Sequence, residues 1–429
     1  MRHVIIGNGA AGISAALAIR DRRPTDRIDI ISDEPHRHYS RVMLTDLIAG
    51  SVSEEKVYLV GPDFYREHGL VAHLGNTVGA IEPGAKTVHL ASEPPLPYDR
   101  LLLAAGAAPN ALSAPSTSDA RVASSTPGIT AHTTQGVYTL RTLDDALRVR
   151  RRALESRTAL VSGGGMVGLK VATALTRLGL AVTVVAASRR VFSQVLEASA
   201  AEVFRHLLEE AGIRILTGDE IHTLEGRGWV ERAHLRSGAS VACDLVIVGK
   251  GVAPRLDLAR RAEIACERGV LVDEYLETNR PGIFAAGDVA EAFDPSLDGR
   301  SPHALWPLAI EQGELAGANM AGDRRPYAGG VPMNSFHWDR IAVITLGASV
   351  PRGPQDHVLS KIDARRGIVR QLVFKGNRLT GAALIGDVDG AGALRALIQT
   401  GATPPVGLME SLLDGKLRKA WARWTMARA

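Results

Sequence analysis

Apolar residues along this chain come in short runs, each closed by glycines or by a polar turn. Val4-Ile5-Ile6 is one such run, too short for a helix and without alternating polar positions, as expected of a strand buried on both faces. Gly7-Asn8-Gly9-Ala10-Ala11-Gly12 follows at once, and an Ala/Leu-rich helical pattern begins at Ile13. Ile28-Asp29-Ile30-Ile31 predicts the next strand and ends in Ser32-Asp33-Glu34. The same order repeats far downstream. Thr158-Ala159-Leu160-Val161-Ser162 leads into Gly163-Gly164-Gly165-Met166-Val167-Gly168 and an amphipathic helix to Leu178. Gly179 caps that helix, and Ala181-Val182-Thr183-Val184-Val185 is the next strand. Between Leu271 and Val289, the segment Thr278 to Asp288 reads as a turn, a buried strand and a Gly287-Asp288 tip. After about residue 326, residues 341–346, 369–374 and 379–385 read as strands, with turns at Lys375-Gly376-Asn377 and Asp387. Strands alternating with helices predict an α/β chain, followed by a small C-terminal α+β domain.

The glycines add chemistry to this pattern. Gly7, Gly9 and Gly12 stand at the G-x-G-x-x-G spacing of a Rossmann-like dinucleotide fold. The first permits the tight turn, the second lets a pyrophosphate approach the backbone, and the third lets helix and sheet pack closely. The helix that starts beside Ala10 and Ala11 then offers unpaired N–H groups to the phosphates. Glu34, and after it Asp33, sits where an acid accepts hydrogen bonds from ribose hydroxyls. Gly163, Gly165 and Gly168 repeat the fingerprint, with Met166 and Val167 opening the second helix. Two fingerprints in one chain imply two bound dinucleotides. Asp288, at the end of a buried strand, stands where open α/β sheets bind ligands; the plain alternative is an ordinary turn aspartate.

Composition narrows the class. Hydrophobic residues make up 45% and charged residues 22% of the 429, which is ordinary globular usage and excludes a largely disordered chain. A net charge of +4 is too mild over this length to argue for nucleic acid. No apolar stretch approaches the roughly 20 residues of a membrane span. The only cysteines, Cys243 and Cys266, exclude a disulfide scaffold and are too few for the thiolate set of an iron–sulfur cluster. The N-terminus imitates a signal peptide as far as Ala16-Leu17-Ala18, but the three glycines within it fit a nucleotide turn, so a cytoplasmic protein is expected.

With GNGAAG, GGGMVG and TNRPGIFAAGD in that order, the chain resembles the FAD-dependent pyridine-nucleotide oxidoreductases over roughly residues 1–325. Leu101-Leu102-Leu103-Ala104-Ala105-Gly106 is similar to that family's inter-domain strand and Ala-Thr-Gly turn, with Ala105 in place of threonine. The resemblance implies FAD in the first fold, with Asp288 bonding the flavin's sugar-alcohol chain. It implies NAD(P)H in the second fold, with the nicotinamide stacked on the flavin. Val78, Ala105, Gly106, Gly249 and Gly287 complete the cofactor-binding positions it implies. Disulfide reductases of this family carry a C-x4-C pair, and related oxidases one cysteine, where this chain has residues 38–47 with none. Dithiol relay and sulfenic-acid chemistry are thereby excluded at that position. The His-x-x-x-x-Glu pair of those reductases is missing too, and His337 stands alone. Arg37-His38-Tyr39-Ser40-Arg41, Leu305-Trp306-Pro307 and Glu311-Gln312-Gly313 resemble instead the cysteine-free branch. That branch holds rubredoxin and ferredoxin reductases, the flavin portion of nitrite reductases, and FAD subunits of iron–sulfur complexes. Tyr39, Arg41 and Trp306 would then line the flavin; packed aromatics and a solvated arginine are the alternative.

Two departures stand out. Lys170 replaces a glutamate that many relatives place near flavin N5, where a lysine would stabilise the anionic reduced flavin; a salt bridge with Asp46 is the equal alternative. After Val185 come Ala186 and Ala187 instead of an acid, then Ser188-Arg189-Arg190, which suit a 2′-phosphate, whereas the close branch leans the expectation to NAD(H) over NADP(H). The expected domains are FAD-binding at 1–112 and 246–325, NAD(P)-binding at 113–245, and a C-terminal α+β interface domain at 326–429. Ala111–Gln135 is the expected connecting loop, and the acid-free basic tail from Lys416 to Arg428 is either a docking element or a solvated helix face. The expected function is electron exchange between NAD(P)H and a separate iron–sulfur protein or subunit, by a homodimer or a subunit of a hetero-oligomer. An oxygen-reducing NADH oxidase and a non-catalytic NAD(H)-sensing flavoprotein are the alternatives.

Overall fold

The computed structural model describes residues 1–112, 135–403 and 411–414. Its framework begins with β1 (Arg2–Ile6), α1 (Ala10–Arg22), β2 (Arg27–Ser32), α2 (Leu44–Ala49), β3 (Leu70–Leu74) and β4 (Arg100–Leu103). It continues through β5 (Val137–Thr139), α3 (Leu143–Leu154), β6 (Thr158–Ser162), α4 (Met166–Arg177), β7 (Ala181–Ala186) and α5 (Ala198–Glu210). Next come β8 (Arg214–Thr217), β9 (Leu245–Val248), β10 (Ile283–Ala285) and α6 (Trp306–Met320). The chain closes with β11 (Met333–Trp338), β12 (Ile341–Gly347), β13 (Asp356–Asp363), β14 (Ile368–Lys375), β15 (Arg378–Ile385) and α7 (Ala391–Thr400). Two compact units result. One is built from Met1–Val42, Glu54–Ala108 and Val252–Pro332, the other from Met43–Ser53, Pro109–Gly251 and Met333–Ala429.

In the first unit the parallel strands lie in the order β10-β4-β1-β2-β3. Val4, Ile5, Ile28, Ile30, Leu101 and Leu102 are fully buried, which is why these strands read as unbroken apolar runs. The chain reverses its direction of travel across the sheet between β1 and β4, a switch point that opens a crevice at the carboxyl ends of the strands. Helices α1 and α6 lie unusually close. A Cβ added at Gly313 would stand 2.2 Å from the Ala11 carbonyl oxygen, and one at Gly317 only 2.4 Å from that of Ala15. Asp29 breaks the apolar run of β2. Its buried carboxylate accepts from Arg2 at 2.9 Å and Arg27 at 3.0 Å, and His73 lies at 3.1 Å. Burial opposes its ionisation, but those hydrogen bonds prevail and hold the carboxyl at about 2.

The second unit repeats the plan, with parallel strands ordered β8-β7-β6-β9-β5. To it is fastened a five-stranded antiparallel sheet, β11-β12-β15-β14-β13, backed by α7 through buried Leu394, Leu397 and Ile398. Phe204 bridges the two parts, its ring centroid 5.0 Å from Phe192 and 5.2 Å from Phe336 on β11. Ser349 Oγ also donates to the Val195 carbonyl at 2.8 Å. The three C-terminal strands expected from sequence are present with ends shifted by a residue, and β11 and β13 flank them. In β11, Phe336 and Trp338 point inward while Ser335 and His337 face solvent, so His337 is an outward residue of an alternating strand. Most of the expected loop Ala111–Gln135, and the basic tail, lie outside the described residues. Among the described residues no helix is long and apolar enough to cross a membrane.

The helix contact predicts a sharp contrast between glycines. Gly313→Val should cost about 3 kcal/mol or more, because its side chain meets Ala11 backbone that cannot move aside. Gly392→Ala, in a helix with open space around it, should be neutral or stabilise by about 0.5 kcal/mol. Denaturant midpoints of the two variants measure both.

Candidate functional site

The first glycine turn leaves room that the chain itself does not fill. Gly7 sits at φ +125°, and a Cβ there would lie 2.1 Å from the Ala104 carbonyl oxygen. A Cβ at Gly12 would lie 1.9 Å from the Gly7 oxygen, yet one at Gly9 would meet nothing within 4 Å. Gly9 has ordinary extended dihedrals, φ −85° and ψ −170°, so its own backbone does not demand glycine. Helix α1 starts there with no side-chain cap and no acid in its first turn. Its N–H groups at Ala10 and Ala11 thus face an opening that suits an anion.

Around this opening the unit gathers several of the expected residues. Glu34, at the end of β2, accepts hydrogen bonds from the Tyr39 hydroxyl and the Arg41 guanidinium. Asp33 instead pairs with Arg255 at 2.7 Å, and both are about half exposed. Burial weakens the charge of Arg41, but Tyr39, Glu34 and Asp288 together outweigh it and raise its pKa. Arg41 therefore links the end of β2 electrostatically to the Gly-Asp tip. Asp288 lies on a short 3-10 turn, Gly287–Val289. Gly287 is held at φ +77° against Ala11, and its N–H donates to Gln312 Oε1 at 2.8 Å. Val78 is buried at the start of a short strand, Val78–Glu82, and Gly106 takes φ +70° after half-buried Ala105.

Sequence reasoning missed His38. Its Nδ1 donates to the Asn8 carbonyl in the glycine turn at 3.0 Å, and its ring stacks on Trp306 with centroids 5.8 Å apart. Burial lowers its pKa and keeps the ring neutral. Tyr65 completes the brace, donating to Asn8 Oδ1 at 2.9 Å and accepting from the His38 N–H at 3.0 Å. The pattern Asn8, His38 and Trp306 carries no local signal, because three distant segments supply it.

The second turn copies the first. Gly163, at φ +132°, would place a Cβ 2.2 Å from the Gly249 carbonyl oxygen, and Gly168 would place one 2.1 Å from that of Gly163. Gly249 is itself pinned, since its Cβ would come within 2.9 Å of the Gly168 Cα. Gly165 again opens on space with nothing within 4 Å, and α4 starts there uncapped, with half-buried Met166 and exposed Val167. Half-buried Lys170 points from α4. Desolvation lowers its pKa, and the charge of Asp46 on α2 only partly opposes that shift. Arg189 and Arg190 line a cavity of about 260 Å³ past the end of β7.

Burial disfavours the thiolate at both cysteines. Cys243 is 1% exposed within the core, and burial pushes its pKa up to about 12. Burial raises Cys266 as well. Among the described residues no group of three His, Cys, Asp or Glu side chains is arranged to hold a metal ion.

A family model described as pyridine nucleotide-disulphide oxidoreductase matches residues 1–313. The chain belongs to this family. Its members are NAD(P)H-dependent flavoprotein oxidoreductases, and the family implies FAD and a nicotinamide nucleotide as cofactors. The chain is 30% identical to the epsilon subunit of NADH-dependent phenylglyoxylate dehydrogenase from Aromatoleum evansii, over 94% of this chain and 93% of that one. It is 28% identical to a rubredoxin-NAD(+) reductase from Ectopseudomonas oleovorans, over 93% and 99% of the two chains. It also superposes on putidaredoxin reductase in its covalent complex with putidaredoxin, with a TM-score of 0.88 at 25% identity, covering 98% and 99%.

The empty space at Gly9 makes a separable prediction. Gly9→Val should fold normally but purify with little flavin, since the added side chain enters only the unfilled opening. Asp288→Ala should weaken flavin retention by about 1–3 kcal/mol through one lost hydrogen bond. Flavin absorbance per chain, beside circular dichroism, reads both. Normal flavin content in the two variants would remove these residues from the site.

Proposed function

We propose that this chain is a FAD-dependent NAD(P)H:acceptor oxidoreductase that exchanges electrons with an iron–sulfur protein or subunit. The observation that carries the reading is the pair of matching glycine turns, each with open space at its middle glycine, in a chain whose two cysteines are both free thiols with disfavoured thiolates. FAD, when bound, accepts a hydride and passes electrons on singly. The first turn, with the N–H groups of α1, would hold the pyrophosphate, and Glu34 would hold the ribose. Asp288 would anchor the sugar-alcohol chain, and Arg41 would supply positive charge beside it. Tyr65 and His38 keep the turn in shape before any ligand arrives, so little ordering remains for binding to drive. Lys170 would set the field at the flavin edge that accepts the hydride. Its partial desolvation strengthens that field, because less water screens the charge.

The partner is proposed by chemistry. A hydride brings two electrons, no disulfide is placed to take the pair, and two cysteines are too few to hold a cluster. A separate one-electron carrier is the acceptor this arrangement suits, and relatives named for rubredoxin and putidaredoxin support it. The chain works as a homodimer or as a subunit of a hetero-oligomer, as the phenylglyoxylate dehydrogenase subunit named above does. The names of relatives favour NADH as the coenzyme.

Steady-state turnover tests the reading. Reduced nicotinamide nucleotide should drive reduction of a ferredoxin- or rubredoxin-type protein faster than reduction of oxygen, and the Cys243→Ser/Cys266→Ser variant should keep that activity. Oxygen reduced as fast as every protein acceptor would put an oxidase in its place. Slow flavin reduction to a long-lived complex would indicate a sensor. Lys170→Gln should slow flavin reduction about tenfold, a loss of roughly 1.4 kcal/mol of barrier stabilisation, without changing flavin content.

A further inference from the structure

We propose that the second fold is built for a 2′-phosphorylated nicotinamide nucleotide, NADP(H), with Arg189 and Arg190 as the phosphate clamp. The inference rests on reading that fold as the nicotinamide-nucleotide site. It departs from the preference suggested by relatives named for NADH.

The end of β7 is where an acid would accept the 2′-hydroxyl of NAD, and it carries Ala186 and Ala187. The acids that follow β8 are engaged elsewhere. Asp219 accepts from the Ser237 hydroxyl and its N–H, while Glu220 pairs with Arg236 at 2.7 Å and Lys250 at 3.1 Å. What stands past β7 is a basic cavity of about 260 Å³, whose lining includes Arg189, Arg190, Glu202, Arg205 and Thr217. Arg205 is already neutralised within its own helix, held between Glu202 and Glu209. Arg189 and Arg190 have no carboxylate partner among the described residues. Arg190 donates only a long hydrogen bond, 3.4 Å, to the Ser193 carbonyl, and its buried Nε has no partner. An unsatisfied buried N–H on a cation is costly, and a phosphate oxygen is the acceptor that suits it best.

The loop that presents these arginines is fixed in advance. The Phe192 N–H donates to the Gly164 carbonyl at 2.8 Å, which ties the loop to the glycine turn itself. The Gly218 N–H donates to the Ser188 carbonyl at 2.9 Å, and Ser188 Oγ donates to the Arg190 carbonyl at 2.6 Å. A Cβ at Gly164 would stand 2.9 Å from that of Ala186, so the turn and the arginine loop are immediate neighbours. A nucleotide whose pyrophosphate lies on the turn would therefore carry its ribose to this loop. There its 2′ substituent meets two guanidiniums that have no carboxylate partner among the described residues.

Titration calorimetry on the flavin-loaded protein decides it, with 2′,5′-ADP and 5′-AMP as probes that differ only in the 2′-phosphate. Wild type should bind 2′,5′-ADP at least tenfold more tightly, with the advantage shrinking as salt rises. Arg189→Ala/Arg190→Ala should bring the ratio below about threefold while leaving 5′-AMP affinity unchanged. Equal affinities in wild type, or an undiminished ratio in the double variant, would overturn the clamp and leave the nucleotide site standing. If flavin-loaded protein binds neither probe, the reading of the second fold fails with it.

Discussion

Everything in this protein hangs on backbone passing backbone at distances that admit no side chain. The Ala104 carbonyl presses on Gly7, the Gly7 carbonyl on Gly12, and the same triangle recurs among Gly249, Gly163 and Gly168. These contacts fix the angle at which each first helix leaves its sheet, and so aim its unpaired N–H groups across the switch point. The middle glycine of each turn is then the one place where the fold leaves space unused. Gly313 and Gly317 extend the same economy of volume to the pairing of α1 with α6, which holds the Gly287-Asp288 tip against the first turn.

Much of this was legible from sequence because strand, turn and helix are local. Apolar runs bounded by glycine gave the buried parallel strands, and the spacing of three glycines fixed what each must do. What was not legible comes from residues distant in the chain. Nothing local in the sequence explains a buried carboxylate at Asp29 within β2, which Arg2, Arg27 and His73 pair from elsewhere in the fold. His38 joins Asn8 to Trp306 across three segments. The helix Leu44–Ala49 belongs with the second unit, and no periodicity in the sequence announces that, although the nearness of Asp46 to Lys170 was among the sequence expectations. The edge strand β13 escaped notice because its residues are mostly half-buried or exposed, without an apolar face to mark them.

The chemistry follows from what the two sites can and cannot do with an electron pair. Both cysteines are free thiols, already reduced, and burial disfavours their thiolates, so neither is an acceptor for electrons from a reduced flavin. The proposed route leads instead outward, one electron at a time. Positive charge at Lys170 and at Arg41 would favour the reduced, anionic side of that exchange, and the basic loop at Arg189 and Arg190 is proposed to select the nucleotide that starts it.

Reduction of a bound flavin by a nicotinamide nucleotide bound to the same chain is the step on which the proposed function rests. Anaerobic stopped-flow mixing of flavin-loaded protein with NADPH or NADH tests this most directly. One flavin per chain should bleach fast in a single turnover. Flavin that stays oxidised while both nucleotides are demonstrably bound would contradict it.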